Sequence, residues 1–234
     1  MMRRGAVIFL FTFTAIISCS RANAQVLEQD SLALIDFYIS TNGADWLIPW
    51  DTTKNVNEWF GVILSEDNSR VGGIALPNNQ LAGQLPATLS NLDKLSSLDL
   101  SDNQISGKIP SDFGTLMGLI ILNLSGNVLS DTIPDNIGSL VFLKTLDLSS
   151  NDLQGPIPAT IGNIDSLRIL NLSQNQISGF IPSTIANLDS LNTLNLASNT
   201  ISGPIPSVLQ NLQELREIDI SNNELTGNTS IPET

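Results

Sequence analysis

Leu143-Lys144-Thr145-Leu146-Asp147-Leu148-Ser149-Ser150-Asn151-Asp152-Leu153-Gln154-Gly155-Pro156-Ile157-Pro158, continued by residues 159–166, is the stretch that decides the fold. Moved by 24 residues in either direction it recurs, and copies begin at Val71, Leu95, Leu119, Leu143, Leu167, Leu191 and Leu215 with no insertion between them. Periodicity of this length marks a stack of equivalent coils, each completed by its neighbours. Counted from the start of a copy, positions 1, 4 and 6 are apolar throughout. The alternation over positions 4–7 has period two, so this part is a short strand with one buried face.

Position 9 is Asn in every copy: Asn79, Asn103, Asn127, Asn151, Asn175, Asn199 and Asn223. It lies between apolar positions 6 and 11, which turns it inward. A buried amide must satisfy both donor and acceptor, so stacked copies predict a ladder to the backbone of neighbouring coils. Positions 13–16 read Gly-x-Ile-Pro in most copies. Gly permits a left-handed backbone and Pro fixes φ, so the chain turns and then runs extended. Asp131 replaces the Gly in the third copy and tolerates that region better than most residues. Ile157, Ile161 and Ile164, at positions 15, 19 and 22, close the coil on its convex side.

These features resemble the plant-type subclass of leucine-rich repeat proteins, whose pattern is LxxLxxLxLxxNxLxGxIPxxLxxLxx. The resemblance implies an α/β solenoid: a right-handed superhelix with a parallel concave β-sheet and an α-helical amino-terminal cap. Similar proteins include plant receptor ectodomains and inhibitors of pectin-degrading enzymes, which implies partner binding without naming the partner.

Residues 1–24 read as a secretory signal, with Arg3 and Arg4 before an apolar run too short for a bilayer and Ala22-Asn23-Ala24 before Gln25. A second reading ends the leader at 18: Ile16-Ile17-Ser18-Cys19 resembles a lipoprotein box, with lipid on Cys19, the one cysteine. Either leader carries the chain out of the cytoplasm. Residues 25–70 form the cap. Asp30 is suited to N-cap a helix with Leu32, Ile35 and Ile39 at helical spacing and Gly43 past its end. Trp46, Trp50 and Trp59 read as a plug over the first coil. Asp30-x-x-Ala33-Leu34-x-x-Phe37 and Trp59-x-Gly61-Val62 are similar to the family's cap. Its usual cysteines are here Asn57 and Leu64, so packing alone is expected to hold the cap. Val62–Leu64 and 71–76 read as strands joined by a polar turn. Residues 71–234 hold seven repeats, the last incomplete; Asn228, Thr229 and Ser230 are a minimal cap or the mark of a fragment.

Composition excludes several chemistries. There is no histidine, so His-based acid–base work and the usual triads and zinc sites are out. No glycine-rich phosphate loop follows a strand, and no cofactor or metal is expected. Without Arg3, Arg4 and Arg21, seven basic residues face 23 acidic ones, a net of −16, which disfavours nucleic acid and anionic membranes. A membrane role is left only to a lipid on Cys19. Position 5 carries Asp99, Asn123, Asp147, Asn171, Asn195 and Asp219; with Asn123 between them, Asp99 and Asp147 are too far apart to share a proton or metal. Sequons occur at Asn123, Asn171 and Asn228.

The remaining expectation is a non-catalytic recognition module, secreted or at the cell surface, that binds an extracellular protein or glycan on its concave face. Positions 2, 3, 5, 7, 8 and 10 would be exposed there. Variation concentrates at positions 2 and 3, so the candidate patch is Ile120, Ile121, Lys144, Thr145, Arg168, Ile169 and Thr193, with Asp147 and Asn171 beside it and Phe180 near the rim. Inhibition of an extracellular hydrolase is the alternative. Ice or surface binding, through regular Asn, Ser and Thr columns, is a further one.

Overall fold

The computed structural model describes residues 26–227. The leader, Cys19 and the sequon at Asn228 with its polar end lie outside them.

Because each coil is 24 residues long without insertions, its strand returns to the same register as the one before. Val71–Ala75, Ser97–Asp99, Ile121–Asn123, Thr145–Asp147, Ile169–Asn171, Thr193–Asn195 and Glu217–Asp219 pair in parallel in chain order. An eighth strand precedes them: β1 (Val62–Leu64) runs antiparallel to β2 (Val71–Ala75). Their polar turn is tied by Asp67, which accepts from the Ser65 hydroxyl at 2.7 Å and the Ser69 amide at 3.1 Å. Those donors, the Ser65 hydroxyl foremost, hold the Asp67 carboxyl down at about 2. The apolar repeat positions give one continuous spine. Leu98, Leu122, Leu146, Leu170 and Leu194 are fully buried, as are the position-1 and position-6 leucines beside them.

The conserved amide register builds the polar half of that spine. Asn151 Nδ2 lies 3.0 Å from Leu124 O in the preceding coil, and 3.1 Å from Leu148 O and from Ser149 O in its own. Its Oδ1 accepts from Leu129 N at 3.0 Å. Asn175 then also donates to Leu148 O, at 3.0 Å, so that carbonyl serves two successive amides. The same arrangement runs through Asn103, Asn127, Asn199 and Asn223.

The opposite wall has two sheets. Ala82–Gln84, Gln104–Gly107 and Val128–Leu129 form one; Gln154–Pro156, Gln176–Gly179, Thr200–Pro204 and Glu224–Thr226 form the other. The break falls at the coil carrying Asp131. Its φ of 72° matches the 74° of Gly155, so the turn is preserved, but its carboxylate takes the Thr132 amide at 2.8 Å. After each Pro at position 16 the chain does not stay extended as the sequence suggests. It closes a short 3₁₀ helix, as at Ala159–Asn163 and Ser183–Asn187. These helices pack backbone to backbone: a Cβ on Gly162 would stand 2.2 Å from Thr184 O.

The cap differs from its sequence reading in two ways. Helix α1 (Glu28–Ser40) begins after Leu27, with no side-chain cap, so Asp30 lies inside the first turn. Its buried face is Asp30, Ala33, Leu34 and Phe37, while Leu32 and Ile39 are 51% and 67% exposed. The face that packs is therefore the one carrying the family-like Ala33-Leu34-x-x-Phe37. Nor does packing alone hold the cap. The fully buried Asp30 receives the Arg70 guanidinium, Nη2 at 2.9 Å and Nε at 3.1 Å, and the Val71 amide at 2.8 Å. That carboxylate, with Asp93 at 2.6 Å from Arg70, holds the guanidinium still more firmly in its charged form. The tryptophans are buried, Trp50 stacks on Trp59 at 4.9 Å and meets Trp46 edge-on, and each indole N–H reaches a backbone carbonyl. Asn79 turns its amide to the cap and accepts the Ile48 amide at 2.8 Å, which docks the cap on the first rung of the ladder.

Candidate functional site

The concave columns divide into inert and available ones. At position 5 the side-chain oxygen accepts from the residue two further on. Asp147 Oδ1 takes the Ser149 amide at 3.0 Å and its hydroxyl at 2.6 Å, and Asp99–Ser101, Asn123–Ser125, Asn171–Ser173 and Asp219–Ser221 repeat this. The Ser221 donors lower the Asp219 pKa. Position 7 is thus no open column: Ser101, Ser149 and Ser173 are buried. The hydroxyls are staples between strand and turn. Asn171 Nδ2 also donates to Asp147 Oδ2 at 3.1 Å across adjacent strands. Among the described residues no group of three or more acidic, Cys or His side chains is placed to hold a metal ion.

Positions 2 and 3 are the available ones. Register aligns Ile121, Thr145, Ile169 and Thr193 on four consecutive strands. Ile120, Lys144 and Arg168 are linked one coil apart by Lys144 N to Ile120 O at 2.8 Å and Arg168 N to Lys144 O at 2.9 Å. Ile120, Ile121 and Ile169 are 37–39% exposed. Lys144 and Arg168 are exposed and make no salt bridge among the described residues. Phe180 does not join them. It follows Gln176–Gly179 in the opposite wall, where a Cβ on Gly203 would meet its ring at 2.3 Å.

Three residues that sequence reasoning missed extend this surface. Met117, Val141 and Phe142 occupy the turns just before the strands Ile121–Asn123 and Thr145–Asp147, and are 64%, 38% and 61% exposed. The signal was in the repeat itself. Elsewhere these turn positions read Asp93-Lys94, Asp165-Ser166, Asp189-Ser190 and Gln213-Glu214.

Comparison with known proteins places this geometry. The model of a leucine-rich repeat region matches residues 122–231, and a single leucine-rich repeat model matches 94–116. The crystal structure of a pollen receptor kinase 3 is 30% identical, with a TM-score of 0.74, over 84% of this chain and 96% of that one. The PEPR1–AtPEP1 structure is 31% identical with a TM-score of 0.79, over 85% of this chain and 29% of the other. A plant ice-binding protein is 26% identical with a TM-score of 0.54, over 87% of this chain and 89% of that one. Among curated proteins, a receptor-like kinase of Arabidopsis thaliana described as inactive is 37% identical over 93 residues, which are 39% of this chain and 16% of that protein. The chain spans less than a third of PEPR1 and a sixth of the kinase. It belongs to the leucine-rich repeat family, in its plant-type form. Among the described residues no helix is long and apolar enough to cross a membrane.

Proposed function

We propose that this chain is a non-catalytic extracellular recognition module that holds a protein partner on its concave sheet, at the patch centred on Ile121, Lys144, Thr145, Arg168 and Ile169. One observation carries the reading. In a sheet whose position-5 and position-7 groups satisfy each other, Ile121 and Ile169 stand exposed on the strands either side of Thr145–Asp147, beside Lys144 and Arg168, which are exposed and outside any salt bridge among the described residues. The likeness to the pollen receptor kinase 3 structure and to the PEPR1–AtPEP1 structure supports it. The leader places the protein outside the cytoplasm, beginning at Gln25 or at a lipidated Cys19, and an intact mass of the mature chain separates the two.

The test uses an Ile121→Asp plus Ile169→Asp variant. Wild-type chain immobilised in native extracellular material retains a partner, and the variant, melting at the same temperature, loses about tenfold or more in affinity. Undiminished retention by the folded variant overturns the proposal. The ice-binding likeness favours a second reading. Against it stand the Asx–Ser columns, whose hydroxyls are already donated inward and are not free to order water. Thermal hysteresis in dilute solution decides it.

A further inference from the structure

We propose that this chain pairs with a second copy of itself, rim to rim, through the turns that lead into its central strands, in an antiparallel two-fold arrangement. This goes beyond the recognition reading, because it concerns the edge of the concave sheet and not its position-3 column.

A turn precedes the concave strand in every coil, and stacking sets these turns in a row along one rim. Asp93-Lys94, Met117-Gly118, Val141-Phe142 and Asp165-Ser166 are four successive ones, and the strands they enter pair in that order. The two middle turns are the apolar ones. Met117 and Phe142 are 64% and 61% exposed, and Val141 and Ile120 are 38% and 37% exposed. Side chains of this size at that exposure make a patch of roughly 300–400 Å². A standard interface covers ~800 Å² per partner, of which a little over half, about 450 Å², is apolar. The patch supplies most of such a core. The polar remainder falls to the turns on either side.

Those flanking turns say what the occupant is. A two-fold axis between the Met117 and Phe142 turns sets the row of four against its own reverse. Met117 then meets Phe142 of the second copy. The Asp93-Lys94 turn meets the turn at Asp165, with Arg168 just beyond it. All four of these charged residues are exposed. Lys94, Asp165 and Arg168 form no salt bridge among the described residues, whereas Asp93 lies 2.6 Å from Arg70. Reversal puts Lys94 opposite Asp165, twice by symmetry, and brings Asp93 opposite Arg168. The rim is therefore complementary to itself in charge as well as in its apolar centre. Lys54 and Lys108 are likewise outside any salt bridge among the described residues. Lys54 belongs to the cap, and Lys108 follows the opposite-wall strand Gln104–Gly107, so neither stands on this rim. The chain's net −13 opposes association at long range, and physiological salt screens that repulsion beyond ~8 Å. Pairing puts two concave sheets in one particle, so a partner with repeated epitopes is held by both.

The experiment is sedimentation velocity of the purified chain over about 1–100 µM, with Phe142→Asp, Lys94→Asp and Asp165→Lys as variants. The substituted positions are exposed, and unchanged melting temperatures show that the variants fold. Wild type forms a dimer in this range. Phe142→Asp raises its dissociation constant about tenfold or more. Lys94→Asp and Asp165→Lys each set like charges opposite one another and weaken the dimer about tenfold or more. Mixing these two variants restores it, because their heterodimer pairs opposite charges at both sites. The doubly substituted Lys94→Asp plus Asp165→Lys chain dimerises for the same reason. A wild-type chain that stays monomeric overturns the proposal, as does a dimer indifferent to Phe142→Asp. So does a dimer that Phe142→Asp dissolves but the mixture fails to restore, which means another register. A monomeric chain whose Phe142→Asp variant loses its retained extracellular partner assigns the patch to that partner instead. If the chain is monomeric while retention still depends on Ile121 and Ile169, the pairing is wrong and the recognition reading stands.

Discussion

At the scale of the residue, the amide at position 9 carries more than its size suggests. Asn151 has two amide hydrogens and three carbonyls in range, so one hydrogen is shared, and its oxygen is the acceptor for Leu129 N. Leucine at this site would fill the volume, leave a buried amide without a partner and remove the donors. Asn151→Leu is expected to lower stability by about 3 kcal/mol or more. Asn151→Asp, which keeps the acceptor but lacks the donors, should fall nearly as far. Urea unfolding midpoints of both, against wild type, check this, and a midpoint unchanged in the Leu variant is incompatible with the ladder. The serine at position 7 shows how residue type misleads. A small polar residue beside a strand reads as solvent-facing, yet its hydroxyl is consumed by the Asx side chain two residues earlier.

At the scale of the element, α1 is fastened where no cysteine is available. The Asp30 carboxylate reaches the Arg70 side chain and the Val71 amide, so the helix is bonded to the first long strand of the sheet. Removing one partner of a buried ion pair costs far more than the pair contributes. Asp30→Ala should lose about 3 kcal/mol, the lower end of that range because Asp93 still partners Arg70. In hydrogen exchange, residues 28–64 should open before the repeats do. If cap and repeats still open together in the variant, the ion pair is not what fastens them. The position of Asp30 near the start of an apolar run suggested a cap residue. The run's outward residues, Leu32 and Ile39, obscured which face packs, because helical spacing alone does not say which of two apolar stripes meets the sheet.

At the scale of the whole molecule, stability is a property of neighbours. Leu148 O receives both Asn151 and Asn175, so losing one rung changes what the next is worth. Asn151→Ala and Asn175→Ala should therefore be non-additive, with a coupling energy of about 0.5 kcal/mol or more. Asn103→Ala and Asn199→Ala, four coils apart at ~4.8 Å each, should add to within about 0.5 kcal/mol. A double-mutant cycle from equilibrium unfolding measures both. Equal coupling in the two pairs would mean that the solenoid unfolds without nearest-neighbour character. The same stacking makes the recognition surface. Residues 24 apart in sequence become adjacent on the sheet, so a patch can be assembled from single departures in successive coils.

The period, the concave strand of each coil, the inward Asn and the left-handed turn at Asp131 were legible from sequence alone, because each is enforced by repetition: a coil that must stack on copies of itself leaves few choices at the positions that touch them. Tertiary structure decided the rest. Only the packed coil shows that Ser149 turns inward, that Phe180 lies on the opposite wall, and that Met117, Val141 and Phe142 stand exposed before the central strands. It also shows that a buried charge pair, with no periodic signature, holds the cap. Such features depend on contacts between segments far apart in the chain, whose partners no local pattern specifies.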